Sequence, residues 1–510
     1  MQRTDLPSVV PAGMAHMTLR SLYLHQCARL GATVAYTVLA DDLSVMSRIT
    51  FADLESRVLP LASALASRCV FGDRIVLAFD NGLESVELFW ACIVAGLVPI
   101  PAPAPAPRQF TEAGLKRLQG IAANSGAALV MVAADQLQKL TQPLPDSWIS
   151  REALEVDSNP DLPDVVVGEN DVAYLQYTSG STSEPRGVEL THRNVLAHYA
   201  ALDLEVEVNG ALVSVLNWLP WYHDFGLLQG VISPIYTGVT SYLMPTLTFL
   251  FRPLSWLDAI AKYKISHSGA PDMAYRACVR ALARKPHWNA DLKSWWVATS
   301  GGEPVRADTI ETFSRAFSPH GFRVQSFAPA YGLAEAVLAV SIKSFGATPR
   351  LLKADASALD FNRVEAGDGQ AGSVRTLVGC GKPLDGIDVR IVDPHRRVEL
   401  PSNAVGEIWV SGPTIGRGYW GKADLSEELF GARLASDGEV GQHFLRTGDL
   451  GFLHEGQIFV SGRLKDLILV GGRNLHPQDI EVTAQKAHQS VRDAAVVAFG
   501  IERQAGEAVV

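Results

Sequence analysis

Between Tyr174 and His198 the chain passes from one short apolar run to another through a loop built almost entirely of hydroxyls and bare backbone. Ala173, Leu175 and Tyr177 alternate as in a strand. Thr178, Ser179, Gly180, Ser181, Thr182 and Ser183 follow, then Pro185, Arg186 and Gly187, and a second apolar run opens at Val188. A loop of that composition wraps an anion with N–H and O–H donors, and a cation at its end adds charge. It points to a polyphosphate ligand. The common phosphate loop needs Gly-x-x-x-x-Gly-Lys-Ser/Thr running into a helix. Here Gly180 and Gly187 are too far apart, and Val188 follows the second glycine. A flexible Ser/Gly linker is the alternative. Pro-Arg-Gly between two strand-like runs argues against it.

The chain of 510 residues exceeds one compact core and predicts several domains or subdomains. With 47% hydrophobic and 19% charged residues, a large core is available and disorder is not expected. A net charge of −10 without a long basic run argues against nucleic acid or an anionic membrane surface as the main partner. Cys27, Cys69, Cys92, Cys278 and Cys380 are scattered and lack metal spacing, which fits free thiols in a reducing cytoplasm. The N-terminus has no basic stretch before an apolar core, so no signal peptide is expected. Leu88–Pro107 carries no charge and has the length of a membrane span. Its second half holds Pro99, Pro101, Pro103, Pro105 and Pro107, which forbids a helix and predicts an extended strand after a short buried helix.

Elsewhere strands and helices alternate. Strands are expected at Ile75–Phe79, Ala128–Ala133, Val213–Leu216 and Trp295–Thr299, and helices at Ser85–Ala95, Val195–Leu202 and Trp256–Lys262. That order indicates α/β layers with largely parallel sheets. After about residue 375, short strands at Val389–Val392, Gly406–Val410, Phe444–Arg446 and Gln457–Ser461 alternate with Gly, Pro and Asp turns, which reads as a β-rich subdomain. Gly367–Gly372 matches Gly-x-Gly-x-x-Gly, but the polar Phe361–Ala366 before it is no strand, so a surface turn is expected. His223-Asp224 suggests a metal site or a hydrolase dyad, yet no nucleophile motif accompanies it and two residues are too few ligands.

Five further segments stand in order along the chain. They are Asn217–Leu227 (Asn-Trp-Leu-Pro-Trp-Tyr-His-Asp-Phe-Gly-Leu), Ser300–Pro304, Ala330–Glu335 (Ala-Tyr-Gly-Leu-Ala-Glu), Arg446–Asp449 (Arg-Thr-Gly-Asp) and Gly462–Asp466 (Gly-Arg-Leu-Lys-Asp). With the loop at Thr178–Gly187, they resemble the signatures of the adenylate-forming enzymes, the superfamily of acyl-CoA synthetases, luciferases and nonribosomal adenylation domains. The resemblance runs from about Thr18 to the end. At Arg186 that pattern usually has Lys, which exchanges a point charge for a planar fork.

The resemblance implies roles. Thr178, Ser179, Gly180, Ser181, Thr182 and Arg186 would cradle the phosphates of ATP. Gly302, Glu303, Pro304, Ala330, Tyr331 and Gly332 would hold adenine, and Asp449 with Arg463 the ribose side. Glu335 would bind Mg2+. Trp218, His223 and Asp224 would border the acyl group, with Leu227–Tyr236 and His267–Met273 as further candidate walls. Lys465 would be the hinge to a mobile C-terminal domain. Catalytic candidates are Thr178, Arg186, His223 and Glu335. The fold implied is a large N-terminal domain (1–465) of two α/β subdomains plus a β-rich subdomain (377–465), then an incomplete α+β C-terminal domain (466–510). The chain stops at Glu507-Ala508-Val509-Val510 in mid-pattern, and no segment matches the family's C-terminal lysine.

Leu-Pro-Trp-Tyr-His-Asp-Phe-Gly-Leu, Tyr-Gly-Leu-Ala-Glu-Ala and Gly-Arg-Leu-Lys-Asp-Leu-Ile-Leu-Val-Gly-Gly-Arg-Asn are each similar to fatty acyl-AMP ligases. So is the long segment Phe345–Thr376, where those ligases carry an insertion; a surface loop without a role is the alternative. This predicts a cytoplasmic enzyme that activates a fatty acid with ATP and Mg2+, releases pyrophosphate, and passes the acyl group to an acyl carrier protein or a carrier domain of a polyketide or nonribosomal peptide synthase. The alternatives are a long-chain acyl-CoA synthetase or amino-acid adenylation domain, and a non-catalytic nucleotide- or lipid-binding relative. No nucleic acid and no integral membrane association are expected.

Overall fold

The computed structural model describes residues 17–105, 112–139, 144–154, 161–178, 185–207, 213–367, 374–436, 438, 441–470, 473–475, 477–487, 496–503 and 506–510. Its centre is a nine-stranded sheet. Strands Val34–Leu39, Thr240–Leu243, Ser214–Asn217, His267–Ala270, Val297–Ser300 and Phe327–Gly332 run parallel through the middle. Antiparallel strands close both edges: Val45–Thr50 on one side, Ala339–Ile342 and Lys382–Pro383 on the other. Parallel strands need helical crossovers that cover the faces, so this sheet is buried and reads as short apolar runs.

A second, four-stranded parallel sheet is built from Val98–Pro103, Arg74–Phe79, Leu129–Val132 and Trp148–Ile149. The proline run finds its place at the edge of this sheet. Pro99, Pro101 and Pro103 alternate with Val98, Ile100 and Ala102, so the missing N–H groups all fall on one side of the strand. The helix before it, Leu83–Val94, is buried from Ser85 to Val94. Among the described residues no helix is long and apolar enough to cross a membrane.

From Asp388 the architecture changes to four antiparallel strands, Asp388–Val392, Gly406–Ser411, Leu445–His454 and Gln457–Arg463. The third is longer than its apolar residues suggest, because the Thr447–Asp449 turn is carried within it. The segment after Phe345 forms a hairpin, Leu351–Asp355 with Val374–Val378, and a short helix Ala356–Asp360. Val364 N–H donates to Asn403 O and Val405 N–H to Asn362 O, so this segment is stitched to the antiparallel sheet. Gly367 follows a bridge between Ala354 and Ala366, and the rest of the Gly-x-Gly-x-x-Gly match lies outside the described residues. Beyond Lys465 come a strand pair, helix Pro477–Ala487 and a final hairpin. All five cysteines are buried and free.

Candidate active site

Strands Val172–Thr178 and Arg186–Thr191 form an antiparallel hairpin that sets Thr178 opposite Arg186. The ring of Tyr177 lies over Gly187, where a Cβ would stand 2.8 Å from it, so only glycine lets the strands approach here. Ser179, Gly180, Ser181 and Thr182 lie outside the described residues. The Arg186 guanidinium sits 5.8 Å from the centre of the Tyr419 ring. The Tyr419 hydroxyl donates to Glu335 Oε1 at 2.6 Å. Burial and the Glu335 carboxylate push the Tyr419 phenol up, so it stays a donor at neutral pH. Sequence reasoning missed Tyr419. The segment around it is laced to the hairpin, through Arg417 N–H to Glu189 O and Trp420 N–H to Gly187 O, and to Glu335 through Gly416 N–H to its carbonyl.

Glu335 stands just past the end of strand Phe327–Gly332, in the turn Ala334–Ala336. Val337 after it has φ 69° and ψ −60°, and Leu338 N–H donates to Ala336 O. That is a strained γ-turn on a β-branched residue. It returns the chain into the antiparallel strand Ala339–Ile342, whose start lines the cavity beside Leu338.

Tyr331 donates to Asp449 Oδ2 at 3.0 Å, and Arg463 Nε donates to Asp449 Oδ1 at 3.1 Å. Asp449 and Arg463 are register partners on neighbouring strands. Burial pushes the Asp449 carboxyl up, against the pull of Arg463 and Tyr331. The Asp449 turn has a hidden support, which sequence reasoning also missed. Glu407, buried, accepts from Arg446 Nε and Nη2 at 3.1 and 2.9 Å, from Trp409 Nε1 at 2.9 Å and from Gly448 N–H at 3.1 Å. Gly448 adopts φ 70°, which a side chain would strain.

His223 caps the short helix Asp224–Leu227, its ring 4.9 Å from that of Tyr222. Its surface is exposed, but crowding by protein atoms and then Arg117 lower its pKa. Asp224 keeps some exposure to the cavity but is crowded by protein atoms. Burial and the nearby Glu335 raise its pKa to about 6, against the Phe225 N–H bond that lowers it.

These elements surround one cavity of about 180 Å³. Val215, His267 and Val297 are register neighbours on three parallel strands and line its inner end. Gly301 and Gly302, just past strand Val297–Ser300, and Ala330–Gly332, at the end of the neighbouring strand Phe327–Gly332, line its other end. The four residue steps from Val297 to Gly301 separate the two ends by about 13 Å. Helix His192–Glu207 and Leu228–Thr237 cover it. Asp224 and Phe225 join the wall, and of the expected walls Leu228, Gln229, Ser233, His267 and Ser268 line it. Glu303 and Pro304 are exposed and take no part in the lining; Glu303 instead accepts from Met273 N–H. Trp218 is a correction. It is buried in a separate core, stacked 3.7 Å from Phe249 and edge-on to Trp256, because the apolar core outcompetes the cavity for a large ring. Lys465 is exposed in the turn Leu464–Asp466, directly after Arg463.

Residues 24–420 match the family of AMP-binding enzymes. The chain is 36% identical over 503 residues to the medium-chain-fatty-acid–[acyl-carrier-protein] ligase JamA of Moorena producens, covering 97% of this chain and 84% of that protein. It is 33% identical over 475 residues to a 4-hydroxyphenylalkanoate adenylyltransferase of Mycobacterium marinum, covering 91% and 75%. Among solved structures, a fatty acid AMP ligase from Legionella pneumophila superposes with a TM-score of 0.83 at 33% identity, over 96% of this chain and 84% of that one. A fatty acyl-adenylate ligase from L. pneumophila, in complex with acyl adenylate and pyrophosphate, gives 0.81 at 34% identity, over 96% and 85%. The chain therefore belongs to the AMP-binding enzymes and, within them, to the fatty acyl-AMP ligases.

Proposed function

We propose that this enzyme activates a medium-length fatty acid with ATP, forming acyl-AMP and pyrophosphate, and then passes the acyl group to the pantetheine arm of a carrier protein in the cytoplasm. The observation that carries the reading is the linked contacts Arg186–Tyr419–Glu335 and Tyr331–Asp449, the latter at a residue that lines an apolar cavity. The fatty carboxylate attacks the α-phosphorus, and the bond to the leaving pyrophosphate breaks. A carboxyl group is already ionised at neutral pH, so no general base is needed. The barrier lies in bringing two anions together, and catalysis is positioning and charge neutralisation. Thr178 and Arg186, with the loop between them, hold the β- and γ-phosphates. Tyr331 and Gly301–Gly302 flank adenine, Asp449 and Arg463 hold the ribose, and His223 stands by the acyl carboxylate.

Magnesium fits the residues present. Glu335 raises both Asp224 and Asp449, so three carboxylates share the cleft, and a cation relieves their repulsion. Among the described residues no protein cluster is large enough to hold a metal alone. That suits an ion taken by one or two carboxylates plus substrate phosphates. Glu335 would hold it through the oxygen not engaged by Tyr419, and when bound it would neutralise phosphate charge.

We assign the segment 345–376 a part in acceptor choice. Ala354 and Leu359 pack with Phe452 and Phe459 in a cluster that Leu464 and Leu467 also touch, on either side of Lys465. Movement of the residues after Lys465 is therefore coupled to this segment, which supports a carrier arm over free CoA. The test is pyrophosphate release with fatty acids and amino acids in competition, followed by addition of holo-carrier protein or CoA. Fatty acids should win and the acyl group should go to the carrier. Preferential activation of an amino acid, or equal transfer to CoA, would overturn the reading.

A further inference from the structure

The cavity wall carries a polar group that a plain alkyl chain leaves unserved. His198 is fully buried on helix His192–Glu207 and lines the cavity. Among the described residues neither of its ring nitrogens has a hydrogen-bond partner. Leu202, one turn further along, also lines the cavity and packs in the cluster of Val297 at the inner end. His198 therefore stands part-way down the channel, not at its tip. The adjoining segment adds Gln229, Ser233 and Thr237 at four-residue spacing, on one helical face of the same wall. Two of these are engaged: Gln229 Nε2 donates to Leu216 O and Asn217 Oδ1, and the Thr237 hydroxyl donates to Ser233 O. The neighbouring Tyr199 hydroxyl donates to Leu228 O at 2.7 Å. Among the described residues the Ser233 hydroxyl, part-exposed, also has no partner, and His198 is the one fully buried side chain of this group with both polar atoms unpaired.

Burying an imidazole with both nitrogens unserved is costly, and a ligand that pairs with one of them recovers part of that cost. Burial also lowers the His198 pKa to about 4, so the ring is neutral near pH 7, with one nitrogen donating and the other accepting. A hydroxyl both donates and accepts, and so pairs with whichever nitrogen faces it. A keto oxygen serves only one tautomer. An ammonium or a second carboxylate would bring an uncompensated charge into an apolar channel. Building on the reading of this cavity as the acyl channel, we infer that the substrate is a hydroxylated acyl chain, with the hydroxyl part-way along the chain against His198, rather than a plain alkanoate.

The test uses the whole chain and a positional series of hydroxy-alkanoates beside the unsubstituted acid of equal length. Pyrophosphate release should favour at least one hydroxylated isomer in kcat/KM by about 10-fold or more, as expected where a buried polar group is otherwise left unpaired. His198→Leu should abolish that preference by raising the rate on the plain acid, and His198→Gln should retain part of it. Binding of non-hydrolysable acyl-sulfamoyl-adenosine probes, with and without the hydroxyl, should follow the same ratios. Equal rates or a preference for the plain acid throughout the series would overturn the inference and leave adenylation standing. So would a hydroxyl preference that survives in His198→Leu. Should that variant fail to fold, the wild-type series decides alone. No release with either class would overturn the adenylation reading itself.

Discussion

Glu335 engages one carboxylate oxygen with the Tyr419 hydroxyl, and in the proposed role the other would hold a cation. Glu335→Ala should depress pyrophosphate release by at least about 100-fold, the effect of losing a charge-stabilising group at the reacting centre. Tyr419→Phe keeps the carboxylate and loses one charge-assisted hydrogen bond, so a drop of about 10-fold is expected. Steady-state kinetics on both variants checks the order; equal effects would mean that Tyr419 acts for itself. Asp224 permits a different measurement. Its carboxyl is raised in the folded protein from 3.8 to about 6, so the fold is penalised whenever it ionises. Its contribution to stability is fully present below about pH 4 and is lost as pH rises through 6. Asp224→Asn should therefore stabilise the protein at pH 8, by on the order of 2 kcal/mol, and change little at pH 4. Thermal melts at the two pH values test this, and equal shifts would show that the carboxyl is not strained by its surroundings.

At the scale of elements, the site consists of turns at strand ends held from behind. The Thr447–Asp449 turn is fixed by Glu407 on the neighbouring strand, whose side chain is 2% exposed and pairs with Arg446. Removing one partner of such a pair leaves the other buried and uncompensated, so Glu407→Ala should cost about 3–5 kcal/mol of stability. It should also raise KM for ATP more than it lowers kcat, if the turn presents Asp449 to the nucleotide as proposed. An unchanged KM would mean that the turn holds its shape unaided. This support was not legible in the sequence. The Arg-Thr-Gly-Asp motif is local, whereas Glu407 lies 39 residues from Arg446 and enters only when two strands pair. Tyr419 is hidden for the same reason, 84 residues from Glu335. The motifs that could be read are those in which four or five consecutive residues make one turn. Trp218 misled because it sits inside such a motif while its ring faces a core that the motif does not specify. The proline run was legible as extended chain, since its missing donors leave no other choice, but its place at a sheet edge depends on Arg74–Phe79.

Across the whole molecule, the parallel strands place the mouth of the cavity at their carboxyl ends, where open α/β sheets bind ligands. The antiparallel sheet that carries Asp449 then meets Tyr331 from the other side. In the proposed reading nucleotide and acyl chain would meet here, with the carboxylate toward phosphorus and the tail in the cavity. The central claim is attack of that carboxylate on the α-phosphorus of ATP. It is tested most directly by supplying a fatty acid labelled with 18O in both carboxyl oxygens and analysing the products by mass after acyl transfer. The account predicts pyrophosphate without label and AMP carrying one labelled oxygen, because the bridging oxygen stays with phosphorus when the acyl group leaves. Unlabelled AMP, or ADP accompanied by labelled phosphate, would contradict it.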